Sequence, residues 1–309
     1  MLCAALLLVR KPYPVVTRYD EEKYFEDVNT RLKCPFPSLM DMPSVSLSVI
    51  VPAYCEERRL PPMLDSCFEY LERRCRNEAK FTYEVIIVSD GSTDETCQVA
   101  MRYVKEYGSD KVRLLNLIKN RGKGGAVRLG VQSSRGAFIL FADADGATRF
   151  SDLDKLYSRF NQVLAKAQFK DSEWKYRSII CGSRAHLEQE SIATRSFFRT
   201  ILMYGFHFLV WFFAVRSIRD TQCGFKLFTR SAARICFPNL HIERWAFDVE
   251  LLYIAEALNI PAEEVSVYWT EIDGSKVTPV WSWIEMGSDL FLIWLRYKLG
   301  AWKLLVKGE

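Results

Sequence analysis

AFILFADADGAT, residues 137–148, decides how the rest of the chain is read. Its first half is a continuous apolar run; its second half carries two carboxylates, Asp143 and Asp145, one residue apart. Side chains two apart on an extended chain share a face, so both carboxylates point one way at the carboxyl end of a strand. Like charges that close repel unless a cation lies between them. An unbroken apolar strand also belongs in a sheet covered on both faces, where ligands gather beyond the carboxyl ends of the strands.

The flanking chain repeats this pattern. VSLSVIVP (45–52), YEVIIVSD (83–90), VRLLNL (112–117) and RSIICGSR (177–184) read as further strands. Between them lie a helical stretch over Leu60–Arg76, a helix opened by the capping box STDE (92–95) and running to Tyr107, and another capped by SDLD (151–154). Such alternation predicts an α/β fold with a mostly parallel sheet flanked by helices. Pro52, Asp90 and Asp143 then fall together at carboxyl ends of strands.

Composition narrows the chemistry. The 309 residues, 49% hydrophobic, suffice for one large domain. A net charge of +4 is too mild to argue for nucleic acid. Nine cysteines without a C-x-x-C pair read as reduced thiols, and three histidines argue against a histidine metal centre. Residues 1–44 form a polar, proline-dotted lead-in that begins with the apolar Leu2–Val9, a greasy terminus or the remnant of a membrane anchor. That run is well short of the roughly 20 residues that span a bilayer.

The second half changes character. ILMYGFHFLVWFFAV (201–215) lies between Arg199 and Arg216, within an apolar interface segment near 197–218. WSWIEMGSDLFLIWLRYKLGAWKLL (281–305) sets Ser282, Glu285, Asp289, Arg296 and Lys303 in a narrow polar stripe on one apolar helix or a pair of them. Tryptophan and basic residues on such helices suit the boundary between membrane and water. These segments predict contact with a membrane surface through C-terminal amphipathic helices.

For Asp143 and Asp145, hard oxygen ligands suit Mg²⁺ or Mn²⁺ carrying a diphosphate. An aspartyl-nucleophile phosphatase would need Thr or Ser where Ala147 stands, its motif on the first strand, and a later G-D-x-x-x-D. A nucleotide-sugar transferase needs only the carboxylate pair with acceptor-rich strand ends, as in PAYCEE (52–57) and SDGSTDET (89–96). NRGKGGAV (120–127) fits neither dinucleotide nor P-loop fingerprint, but Arg121 and Lys123 on its glycine-softened turn suit a phosphate.

VIVPAYCEERRLP, DGSTDET, NRGKGGAVRLG and FADADGA resemble the inverting glycosyltransferases of GT-A fold. RDTQCGFKLFTR, ERWAFDVELLYIA, WTEIDGSKV and the stretch GSRAHLEQESIATRSFFRTILMYGFHFLVWF resemble, within that family, the dolichyl-phosphate β-glucosyltransferases, over about residues 45–303. The resemblance implies a GT-A catalytic domain over 45–270, followed over 271–309 by a mobile loop and the C-terminal helices. It implies glucose transfer from UDP-glucose to dolichyl phosphate with inversion, for protein N-glycosylation. The implied location is the endoplasmic reticulum membrane, with the catalytic domain facing the cytosol.

Residue by residue, the resemblance puts Pro52, Tyr54, Glu56, Asp90 and Lys123 around the nucleoside. Asp143 lies against ribose and diphosphate, and Asp145 is the main metal ligand. Arg184, Arg195 and Arg199 receive the lipid phosphate and the donor diphosphate. Gln222, Glu243, Arg244 and Trp245 flank the sugar and phosphates, and Ser275 and Lys276 belong to a loop closing over the donor. Asp143, Asp145, Arg195, Arg199 and Arg244 make up the catalytic set. One departure stands out: where the family has two acidic residues before Gly-Ser, the first is Ser89, which leaves Glu56 to support donor binding.

The chemistry points the same way without the resemblance. A phosphate monoester has a second pKa of about 6, so the acceptor is largely dianionic near neutrality and needs no general base. It needs cations that bring two anions together. Arg195 and Arg199, four apart on an expected helix, fit that need. Asp248 and Glu250 of FDVELL are expected to orient the sugar or pair with arginines. Rival readings are a GDP-mannose-dependent enzyme acting on the same lipid and a non-catalytic membrane-bound protein that keeps a sugar-nucleotide fold.

Overall fold

Two apolar faces alternate along each central strand, and they set the architecture. The structure is a computed structural model that describes residues 14–187, 217–272 and 281–305, with the backbone alone for 281–285. A short antiparallel pair, β1 (Tyr24–Glu26) and β2 (Lys33–Pro35), precedes β3 (Val45–Ala53), α1 (Leu60–Asn77), β4 (Tyr83–Asp90) and α2 (Thr96–Tyr107). Then come β5 (Val112–Leu117), α3 (Lys123–Gln132), β6 (Gly136–Ala142), α4 (Leu153–Ala167) and β7 (Ile179–Ser183). The remainder is β8 (Phe225–Thr229), α5 (Arg230–Cys236), α6 (Phe247–Ala257), β9 (Ala262–Ser266) and α7 (Trp281–Lys298).

Seven strands form one sheet in the order β5–β4–β3–β6–β8–β7–β9. All neighbours are parallel except β8, which runs against both β6 and β7. In β3, Val49 and Val51 face α1, α2 and α4, while Ile50 faces α3, α5 and α6. The same switch takes Val85 and Ile87 to the first core and Ile86 and Val88 to the second. Each such side chain contributes about 1.5–3 kcal/mol by leaving water. That double cover is why these strands read as unbroken apolar runs.

Some local expectations are revised. STDE (92–95) does not cap α2, which starts at Thr96. Instead Ser92 Oγ accepts the Cys55 N–H at 3.1 Å, Asp94 Oδ2 accepts that of Glu57 at 3.2 Å, and Glu57 Oε2 accepts that of Glu95 at 3.1 Å. The acidic turn thus ties together the loops after β3 and β4. Asp152 likewise makes no side-chain cap for α4; its Oδ2 accepts the Tyr268 N–H at 2.5 Å. Both segments carry cap-like residues because carboxylates also satisfy loop N–H groups.

The described part of the lead-in, 14–44, runs largely over the surface but is pinned to the fold at a few points. Leu39 is buried, and Arg230 and Arg234 donate to carbonyls of residues 38–41. At the other end of the chain a single helix, α7, stands where one or a pair of membrane-surface helices was expected. Its Met286, Leu290 and Ile293 are buried, the first two in the core that holds α6. Gly300 (φ +66°) turns the chain, and Trp302 stacks on His241 at 4.0 Å. The apolar side of this helix therefore serves the core. Among the described residues no helix is long and apolar enough to cross a membrane.

Candidate active site

A cavity of about 610 Å³ opens at the carboxyl ends of β3, β4 and β6. Pro52, Tyr54 and Glu56 reach it from the end of β3, Asp90 from β4, and Asp143 and Asp145 from β6. Lys123 enters from the first turn of α3, and Arg184, Gln222, Arg244 and Trp245 close the other side. These residues, all expected at the site, therefore line one cavity. Arg195, Arg199, Ser275 and Lys276 lie outside the described residues, as does most of 197–218.

Backbone geometry makes the carboxylate pair possible. The Asp143 N–H donates to the Gly224 carbonyl at 3.0 Å, where β8 meets β6. Lys123 Nζ lies 2.8 Å from Asp143 Oδ1 and 2.9 Å from Oδ2. Asp145 Oδ1 accepts the Ala147 N–H at 3.0 Å. Burial, and then the neighbouring Asp143 charge, push the Asp145 carboxyl above the ordinary range. Such a carboxylate gains from any cation brought beside it.

Asp90 is held differently. Its Oδ1 accepts the Arg121 N–H at 2.7 Å, while Asn120 Nδ2 donates to its carbonyl at 3.1 Å. Burial raises its carboxyl from 3.8 to about 6, against the pull of the Arg121 and Gly122 N–H groups. Gly91 allows this close approach: it sits at φ +66°, and a Cβ there would meet the Asn120 nitrogen at 2.7 Å.

Residues 48–234 match glycosyl transferase family 2. The chain belongs to that family. It is 62% identical to the dolichyl-phosphate β-glucosyltransferase of Drosophila melanogaster, over 97% of this chain and 90% of the relative. It is 58% identical to the human enzyme of the same name, over 94% of this chain and 87% of the relative. A solved mycobacterial protein shares the fold, with a TM-score of 0.52 and 16% identity over 92% of this chain and 85% of that one. The chain is a glycosyltransferase with a GT-A fold, as the motifs imply.

Several charged groups of the glycosyltransferase take other partners than expected. Arg121 is turned away from the cavity: its Nη2 lies 2.9 Å from Glu22 Oε2 in the lead-in, and its Nη1 donates to the Thr17 carbonyl. Glu243 does not line the cavity either; its carboxylate takes Arg128 and its carbonyl accepts the Gly125 N–H at 2.9 Å. Glu250 is fully buried and holds the His241 and Ile242 N–H groups, His241 Nδ1 and Tyr297 Oη. Asp248 lines the cavity, and its partner is a lysine: Lys226 Nζ lies 2.6 Å from Asp248 Oδ1. Burial alone would discharge that ammonium, but Asp248 holds it above its ordinary value.

Ser89 points out of the cavity. It is buried, and Cys97 Sγ donates to its Oγ at 3.1 Å. One residue along a strand reverses the face, so Asp90 faces the cavity and Ser89 does not. Glu56, expected to stand in for the missing acid, forms a double hydrogen bond with Arg59 at 2.5 and 2.6 Å.

The sequence reading missed Asp220, Arg59, Asn120 and Trp269. Asp220 is buried and fixes Arg184 through Nε and Nη2, both at 2.8 Å, and through its backbone N–H at 2.8 Å. Despite burial, those bonds hold the Asp220 carboxyl below the ordinary range. Asp220 and Trp269 stand inside RDTQCGFKLFTR and WTEIDGSKV, so the signal was present without a partner attached to it.

Proposed function

We propose that this chain transfers glucose from UDP-glucose to dolichyl phosphate with inversion, giving dolichyl β-D-glucosyl phosphate for protein N-glycosylation. The observation that carries this reading is the single cavity in which Asp90, Lys123, Asp143, Asp145, Arg184 and Arg244 converge. Relatives named for this activity at 62% and 58% identity support the sugar and the lipid.

The residues divide the work by charge. Pro52, Tyr54, Glu56 and Asp90 form the wall for uridine and ribose. Lys123, Arg184 and Arg244 supply cations for the donor diphosphate, and Arg195 and Arg199 do so for the lipid phosphate. Gln222 and Trp245 flank the sugar, and Ser275 and Lys276 close over it. An acceptor that is already dianionic attacks the anomeric carbon without a general base, so positioning and charge carry the catalysis. Asp248, tied to Lys226, acts as a fixed wall rather than as a proton acceptor.

The carboxylate pair fits a divalent ion. Among the described residues no cluster of three or more side chains could hold a metal alone. Asp143 and Asp145 would therefore hold Mg²⁺ or Mn²⁺ together with diphosphate oxygens and water, which is how Mg²⁺ is usually bound. Bound there, the ion would neutralise the departing UDP.

We place the enzyme on the cytosolic face of the endoplasmic reticulum membrane, touching it through the segment near 197–218 and the exposed side of α7, where Phe291 is 41% exposed. The lead-in 1–44, the catalytic domain 45–270 and the C-terminal part 271–309 serve that arrangement.

Transfer of radiolabel to dolichyl phosphate, compared for UDP-glucose and GDP-mannose, tests the activity. Product from UDP-glucose is expected. Product from GDP-mannose alone would replace the donor assignment, and no product from either, with nucleotide binding intact, would favour a non-catalytic protein.

A further inference from the structure

Lys123 occupies a position that the proposed metal needs. Its ammonium bridges both oxygens of Asp143, at 2.8 and 2.9 Å. Three features put it there. Gly122, at φ +79°, turns the chain into α3, and a Cβ at that position would stand 2.8 Å from the Glu243 carbonyl. Lys123 is then the first residue of the helix, and its side chain is only 17% exposed. Its Nζ lies 5.2 Å from the centre of the Phe141 ring and 5.8 Å from that of Trp245. An aromatic slot thus guides the cation onto Asp143 from inside the cavity.

A lysine and a divalent ion repel each other when they share one carboxylate. A diphosphate entering the cavity offers the ammonium a second anion within the reach of a flexible four-carbon stem. We propose that Lys123 is an internal counter-ion: it holds Asp143 in the free protein and moves to the diphosphate when a nucleotide binds, so that nucleotide opens the metal site. Nucleotide and metal then bind cooperatively, and by linkage each strengthens the other by the same factor. The inference rests on the metal assignment above and adds the order in which the cations exchange.

Mn²⁺ binding, followed by electron paramagnetic resonance with and without UDP, tests it in the full chain. The wild type is expected to bind Mn²⁺ weakly alone and much more tightly with UDP. Lys123→Met is expected to bind Mn²⁺ alone on the order of tenfold more tightly and to lose a similar factor of the UDP-induced gain. Lys123→Arg, which keeps the charge, should retain wild-type coupling, and circular dichroism verifies the fold of each variant. A structural lysine would weaken both ligands when removed, without strengthening either. UDP-dependent Mn²⁺ binding in wild type with unchanged metal affinity and coupling in Lys123→Met overturns the inference alone. No Mn²⁺ binding in wild type even with UDP overturns the metal assignment and the inference with it.

Discussion

A Cβ on Gly224 would stand 1.8 Å from Oδ2 of Asp143, whose N–H the Gly224 carbonyl already holds at 3.0 Å. The carboxylate pair therefore depends on a glycine 81 residues away in sequence, just before β8, the strand of the seven-stranded sheet that runs against both its neighbours. Gly224→Ala should displace the Asp143 carboxylate and lower kcat/KM by two orders of magnitude or more. The overpacking should cost about 1–3 kcal/mol of stability in urea denaturation. A variant with near-normal transfer would show that Asp143 need not sit where it does.

Glu22 and Arg121 form a buried pair that joins the lead-in to the turn holding Asp90. Glu22→Ala leaves a mostly buried guanidinium unpaired, so denaturation should report a loss of about 3–5 kcal/mol. The KM for UDP-glucose should rise more than kcat falls, because Arg121 carries the N–H that orients Asp90. Equal effects on both constants would argue against that route.

Asp90 should give donor binding a pH dependence. Its carboxyl titrates near 6 when folded, against 3.8 in a free chain. The folded protein thus holds this proton more tightly, so its contribution is favourable at low pH and falls away as pH rises from about 4 to 6, by on the order of 1–3 kcal/mol. Uridine or ribose donors favour the ionised form, so UDP should bind more tightly at pH 7 than at pH 5. Calorimetry on Asp90→Asn, which cannot titrate, should show weaker binding and a smaller pH dependence. Equal pH dependence in both proteins would assign the effect to the UDP phosphates.

Lys226→Met should strand the Asp248 carboxylate in the core beside the cavity and cost about 3–5 kcal/mol. Lys226→Met with Asp248→Leu should recover much of that stability while transfer stays impaired, because Asp248 shapes the cavity wall. A double-mutant cycle by urea denaturation, paired with donor KM, separates the two effects. Additive losses would mean that the 2.6 Å pair is energetically idle.

Much of the sheet was legible because its signals are local. YEVIIVSD and VRLLNL are strands over the residues that their apolar runs mark, and AFILFAD falls one residue from β6. Legibility failed where a residue's partner lies far along the chain. Arg121 looked like a phosphate ligand because nothing near it in sequence shows Glu22, which stands 99 residues away. In the C-terminal segment the pattern alone does not separate the side chains of α7 that pack toward α6, such as Met286 and Leu290, from those left exposed, such as Phe291. The antiparallel course of β8 left no mark, since a strand buried on both faces shows no direction in its pattern.

The sequence by itself determined the alternation of strands and helices, the strand ends at which Pro52, Asp90 and Asp143 stand, and the presence of two carboxylates needing a cation. These follow from side-chain period and burial, which depend on near neighbours. Only the tertiary structure decided which cation each acid receives: Lys123 for Asp143, Arg184 for Asp220, Lys226 for Asp248 and Arg121 for Glu22. Charge pairing acts through space over a few ångströms, and that distance is set by how distant loops meet above the sheet.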